Sequence, residues 1–106
     1  MKEIKEKNKM KYRKKPVVIE AFQMTEERRW NKVDWPEWLH KAWNMPDLTE
    51  GALCIDPDDP AKEKLVIGTL EGVHRVAWGD WIIQGVKGEI YACKPDIFEQ
   101  TYELAE

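Results

Sequence analysis

The 106-residue sequence is 42% hydrophobic and 35% charged, with a formal net charge of -3. That charge averages two unlike parts: residues 1–15 carry eight Lys/Arg against two Glu, +6, and the other 91 residues carry nine Lys/Arg against eighteen Asp/Glu, -9. A chain of this size holds one core, burying roughly 60–70% of the surface exposed when unfolded, which excludes two domains. No apolar run reaches the ~20 residues of a membrane span, and the basic start lacks the apolar stretch of a signal peptide, so the expected location is the cytoplasm.

Residues 1–11 (MKEIKEKNKMK) offer little that can pack and read as a solvated basic extension to a single domain over residues 12–106. Pro16–Phe22 (PVVIEAF) alternates Val17, Ile19 and Ala21 with Val18, Glu20 and Phe22, the pattern of a first strand with proline at its start. Thr25, followed by Glu26 and Glu27, suits the N-terminus of a short helix. Asp34-Trp35-Pro36-Glu37 reads as a capping box opening the main helix, on which Trp35, Trp38, Leu39, Ala42 and Trp43 form an apolar stripe ended by Met45-Pro46.

Beyond Pro46 the period falls to two. Ala52–Ile55, Leu65–Leu70, Val73–Ala77, Trp81–Val86 and Glu89–Cys93 read as strands, with turns at Pro57-Asp58-Asp59-Pro60, Glu71-Gly72, Gly79-Asp80 and Lys87-Gly88. Connections this short make neighbouring strands antiparallel. Pro95–Tyr102 reads as a short helix or turn. The expected fold class is α+β: a small antiparallel β-meander sheet, curled towards a barrel, packed against one main amphipathic helix.

Chemistry-bearing residues are sparse. Cys54 and Cys93 form no CxxC pair and read as small apolar residues; together with His40 and His74 they stand one to an element, which does not define a metal site. A nucleophile and base could be built only if Cys93, its thiol lowered by Lys94, met His74 and Asp80 in space. The Gly79-Asp80 pair is explained by a tight turn alone. The reading is therefore a non-enzyme with no cofactor and no metal.

Six tryptophans (Trp30, Trp35, Trp38, Trp43, Trp78, Trp81) exceed what one helix face can bury in so small a domain. Trp35, Trp38 and Trp43 are assigned first to the core, and Trp30 and Trp78 to a partly exposed binding face, because Trp is enriched at interface hot spots. The acidic loop of Asp56, Asp58, Asp59 and Glu63 completes the candidate contacts. The basic tail could make phosphate contacts, but the acidic body would repel a duplex, so nucleic acid ranks below protein as a partner. An exposed edge strand or Trp face would favour a homodimer.

Met10–Met24 (MKYRKKPVVIEAFQM), Thr69-Leu70-Glu71-Gly72 and residues 79–103 (GDWIIQGVKGEIYACKPDIFEQTYE) resemble a widespread group of small phage and prophage proteins. The resemblance makes Met10 a plausible family start and residues 1–9 an extension. It implies a protein of the host cytoplasm expressed from a mobile element, and it carries no catalytic, cofactor or binding residue over. The expectation is a non-catalytic accessory protein that binds a host or phage protein, such as a defence nuclease; a nucleic-acid module using the tail is the alternative and a small enzyme the last.

Overall fold

The computed structural model of the chain describes residues 10–13 and 15–105, so all of the basic extension but residues 10 and 11 lies outside the described residues. In chain order the elements are β1 (Glu20–Gln23), α1 (Glu26–Trp30), a 3-10 turn (Lys32–Asp34), α2 (Glu37–Trp43), β2 (Leu53–Ile55), β3 (Leu65–Thr69), β4 (Gly72–Val76), β5 (Trp81–Gln84), β6 (Ile90–Cys93) and α3 (Pro95–Thr101). The architecture is mixed α+β. Among the described residues no helix is long and apolar enough to cross a membrane.

The strands form two three-stranded antiparallel sheets, β1-β5-β6 and β2-β3-β4, in place of one meander, and no barrel closes among the described residues. The break falls between β4 and β5, where a hairpin was expected. The Asp80 carboxylate accepts from the Ala77 N–H at 3.0 Å, and Gly79 takes φ +98°. Gly79 N–H then donates to Met24 O at 2.7 Å, while Met24 N–H donates to Asp80 O at 2.8 Å. These bonds turn the chain away from β4 and seat β5 against β1, with Phe22 opposite Ile82 and Ile82 opposite Ala92 on β6.

Three further expectations are corrected. β1 begins at Glu20, not Pro16, because its partner β5 ends at Gln84 and the chain then turns, Gly85 N–H bonding Glu89 O at 2.7 Å. Among the described residues no strand lies opposite residues 16–19. The Asp34 cap is not formed: Asp34 closes the 3-10 turn, and α2 starts from Pro36 with no side-chain cap bond. Nor is there one main helix, since α2 and α3 are both seven residues long. The Thr25 cap does form, its hydroxyl accepting from Arg28 N–H at 3.1 Å.

The core lies where the sheets and α2 meet. Leu53, Leu65, Ile67 and Val76 come from one sheet, Ile82 and Ile90 from the other, and Trp35, Leu39 and Ala42 from the stripe at α2, with Met24 at the end of β1. Each fully buried aliphatic here contributes ~1.5–3 kcal/mol relative to exposure. Trp38, Trp43 and Trp78 pack half-buried around this core.

The opposite face of β1-β5-β6 is covered too. The Trp81 ring stacks on Phe98 of α3 with centroids 4.2 Å apart, and Phe98 meets Tyr102 at 5.1 Å. Ile83, on the same face of β5 as Trp81, is fully buried. The aromatic layer accounts for the choice of helix for Pro95–Thr101: i,i+4 spacing lines Phe98 and Tyr102 against the sheet.

Candidate functional site

Trp30 ends α1 and is 59% exposed, as the sequence suggested. One of its faces is occupied. The Arg29 guanidinium lies 4.2 Å from the Trp30 ring centroid and 5.1 Å from that of Trp43, and Arg29 itself is only 2% exposed. A planar cation against two indoles gives ~0.5–2 kcal/mol per well-desolvated contact. Lys32 adds a second cation, its Nζ 4.6 Å from Trp43 and 5.7 Å from Trp35.

Trp35 anchors this group from below. It is 4% exposed, meets Trp43 edge-on at 5.7 Å, and donates its indole N–H to Arg28 O at 2.7 Å. That bond ties a carbonyl at the end of α1 to the start of α2. Trp30 is thereby fixed on one side and open on the other.

The acidic loop joins the same region through Arg29, whose Nε–H donates to Glu63 O at 3.0 Å. Burial lowers the Arg29 pKa, and the Glu63 charge partly restores it; a guanidinium so placed stays charged at neutral pH. The loop's carboxylates are not equivalent. Asp56 is 5% exposed, accepts from Asp58 N–H at 2.9 Å and faces Arg75 Nε at 3.7 Å. Asp59 accepts from the backbone N–H groups of Ala61, Glu63 and Lys64 at 2.9–3.1 Å. Both act as braces of the loop, and only Asp58 and Glu63 are exposed to solvent.

Those three bonds, led by the one from Lys64, hold the Asp59 carboxyl below its usual range. A depressed carboxylate stabilises the fold fully above its unfolded pKa of ~3.9 and loses that contribution as pH falls through its lower folded value. Asp59→Ala is therefore expected to lower amide-exchange protection at Glu63 and Lys64 at neutral pH, and acidification through the carboxyl's lowered folded pKa to do the same in the native protein. Unchanged protection in Asp59→Ala would refute the bracing role.

Trp78 is not part of the platform. It is half-buried against the core in the turn before β5, partly exposed as expected but away from Trp30. Asp80 likewise serves the turn. Cys93, opposite Trp81 on β6, has its thiol pushed up by burial, then by Asp80 and Asp96, which reverses the lowering expected from Lys94. A raised thiol is protonated at neutral pH and a poor nucleophile. His74 is exposed on β4, His40 sits by the Trp35 ring at 5.7 Å, and buried Cys54 accepts from Leu48 N–H at 3.4 Å. Among the described residues no three His, Cys, Asp or Glu side chains converge to hold a metal ion.

Two depressions flank the platform. One of about 80 Å³, lined by Trp43, Asp47, Leu53, Cys54 and Ile55, is below the ~300 Å³ of typical small-molecule sites. The other, about 350 Å³, is a polar groove among Gln23, Thr25, Glu27, Arg28, Asn31 and Asp34.

The composition had pointed to Trp30 but not to Arg29 and Lys32, because a cation over a ring leaves no periodic trace when the ring comes from another helix. The only available signal was local, Arg28-Arg29-Trp30-Asn31-Lys32, three cations around an aromatic. Together these features define a small mixed α+β domain bearing an aromatic and cationic platform beside an acidic loop. No protein-family model, curated protein or solved structure matches the chain.

Proposed function

We propose that this chain is a non-catalytic accessory protein of a phage or prophage, working in the host cytoplasm by binding a host or phage protein through Trp30 and the adjoining loop at Asp58 and Glu63. A host defence nuclease is the target class we favour. The observation that carries the binding reading is the Trp30 ring, 59% exposed yet held from behind by a buried guanidinium 4.2 Å away. A large apolar ring fixed before binding loses little side-chain entropy on association, the property that makes Trp a hot-spot residue. The phage origin rests on the resemblance of the KYRKKPVVIEA and GDWIIQGVKGEIYACKPDIFE stretches.

The test is capture from host lysate by the full chain and by Trp30→Ala. The substitution is expected to weaken capture of the recovered protein at least tenfold while costing no more than the ~0.5–2 kcal/mol of the contact with Arg29. Equal recovery by both proteins would sink the Trp30 reading. The nucleic-acid reading keeps one supporting feature, the +6 of residues 1–15. It requires binding that falls steeply with salt and vanishes when residues 1–9 are deleted.

A further inference from the structure

We infer that the Nη edge of the Arg29 guanidinium is a carboxylate-binding site, where the partner protein presents the side chain of an acidic residue. The source of that carboxylate rests on the reading of Trp30 as a protein contact; its chemistry rests on the surroundings of Arg29 alone. Arg29 is 2% exposed and is the one buried cation among the described residues. Its Nε–H donates to Glu63 O at 3.0 Å. Among the described residues its two Nη groups meet no acceptor, and no carboxylate forms an ion pair with it. The buried carboxylates are better served: Asp56 accepts from Asp58 N–H and faces Arg75, and Asp80 accepts from Ala77 N–H. A charge taken out of water without a counter-ion is costly, and the indoles at 4.2 and 5.1 Å offset only part of that cost.

What remains of Arg29 selects the ligand. With Nε–H committed and indoles against the guanidinium, its Nη edge is left as a planar fork of donors with no accepting atom. Such a fork matches the two oxygens of a carboxylate, bonded side by side. Trp30, Trp43 and the Glu63 carbonyl already hold it in place, so little freedom is lost when a ligand binds. Lys32 adds positive charge at the same indole, its Nζ 4.6 Å from the Trp43 centroid, and it too forms no ion pair among the described residues.

A phosphate chain fits this place less well. Residues 16–106 carry nine Lys/Arg against eighteen Asp/Glu, and the Glu63 backbone touches the guanidinium, so each further charge of a polyanion meets repulsion. A carboxylate brings one negative charge to one fork.

The experiment is an NMR titration of the full 15N-labelled chain at constant ionic strength, following Arg29 Nε–H and the indole N–H groups of Trp30 and Trp43. The probes are N-acetyl-glutamic acid N-methylamide, its glutamine counterpart and inorganic phosphate. The glutamate probe is expected to shift these signals saturably, and the glutamine probe to bind at least tenfold more weakly. Arg29→Lys keeps the charge without the fork and is expected to lose at least tenfold in affinity for the glutamate probe. The comparison of the two amides on the native chain stands even where that variant does not fold. Equal shifts with both amides, no shift up to tens of millimolar, or unchanged affinity in a folded Arg29→Lys would overturn the site. Tighter binding of phosphate at the same signals would overturn its assignment to a carboxylate. The titration needs no partner, so it can succeed where capture proves independent of Trp30, and fail where capture depends on it.

Discussion

Gly68→Ala is expected to cost about 3 kcal/mol or more, a large part of the ~5–15 kcal/mol that holds a domain of this size folded. Gly68 lies in β3, where its N–H donates to Ala52 O at 3.0 Å and its carbonyl accepts from Gly51 N–H at 2.9 Å. The segment between α2 and β2 lies directly on it. A Cβ at this position would enter the Thr49 carbonyl oxygen and stand 2.9 Å from the Leu48 carbonyl oxygen. Both obstacles are backbone, so no rotamer change relieves them. The segment has little freedom to retreat: Leu48 already adopts φ +64°, its N–H bonds Cys54 Sγ at 3.4 Å, and the Thr49 hydroxyl donates to Pro46 O at 2.6 Å.

Gly72→Ala supplies the comparison. Gly72 has φ +118° but nothing within 4 Å of its Cβ position, so that variant bears backbone strain alone, about 1–2 kcal/mol. Urea denaturation of both proteins separates the terms. Gly68→Ala is expected to be the less stable by at least ~1 kcal/mol, with m-values unchanged; equal midpoints would show that the 44–51 segment does not press on β3.

Gly68 also marks what a sequence can and cannot carry. Within Leu65–Thr69 it reads as a gap in a β-prone run, and nothing nearby in sequence names Thr49 as its neighbour. Strand positions after Pro46 were legible because alternation is a local property, and each expected strand is present within two residues at either end. Their partition into two sheets was not, because it depends on Asp80 and Gly79 bonding Ala77 and Met24, one of them more than fifty residues away. The first strand was overextended for the same reason: Val17 and Val18 have the right residue types, but their extension depends on a partner that ends at Gln84.

The candidate site divides similarly. Trp30 stood out because its neighbours gave it no apolar stripe to join, and it is exposed. Trp78 had the same local look, and the turn before β5 leaves it half-buried against the core. The acidic loop was visible as composition, while the division of labour within it, Asp56 and Asp59 inward and Asp58 and Glu63 outward, depends on backbone donors at residues 58 and 61–64.

Trp35 is where stability and the proposed function meet. Trp35→Ala is expected to cost about 3–5 kcal/mol, because it empties the space of a fully packed indole at the junction of α1, α2 and the core. Trp35→Phe divides that loss. Phenylalanine retains most of the apolar contact with Trp43 and Lys32, but it cannot donate to Arg28 O, which accepts the indole N–H at 2.7 Å. Leaving that carbonyl unpaired costs about 1–3 kcal/mol. The consequence reaches beyond stability, since the lost bond joins the end of α1, where Arg29 and Trp30 sit, to the start of α2. With α1 free to fray, the guanidinium no longer holds the back of the Trp30 ring, and binding becomes a step that must also order the ring. Trp35→Phe, still folded, is therefore expected to capture the partner several-fold more weakly while keeping every exposed residue of the surface. The control is Trp38→Phe, which removes an indole N–H that has no partner to lose. Partner affinity unchanged in Trp35→Phe, or reduced equally in Trp38→Phe, would show that the Trp30 ring does not depend on the bond to Arg28.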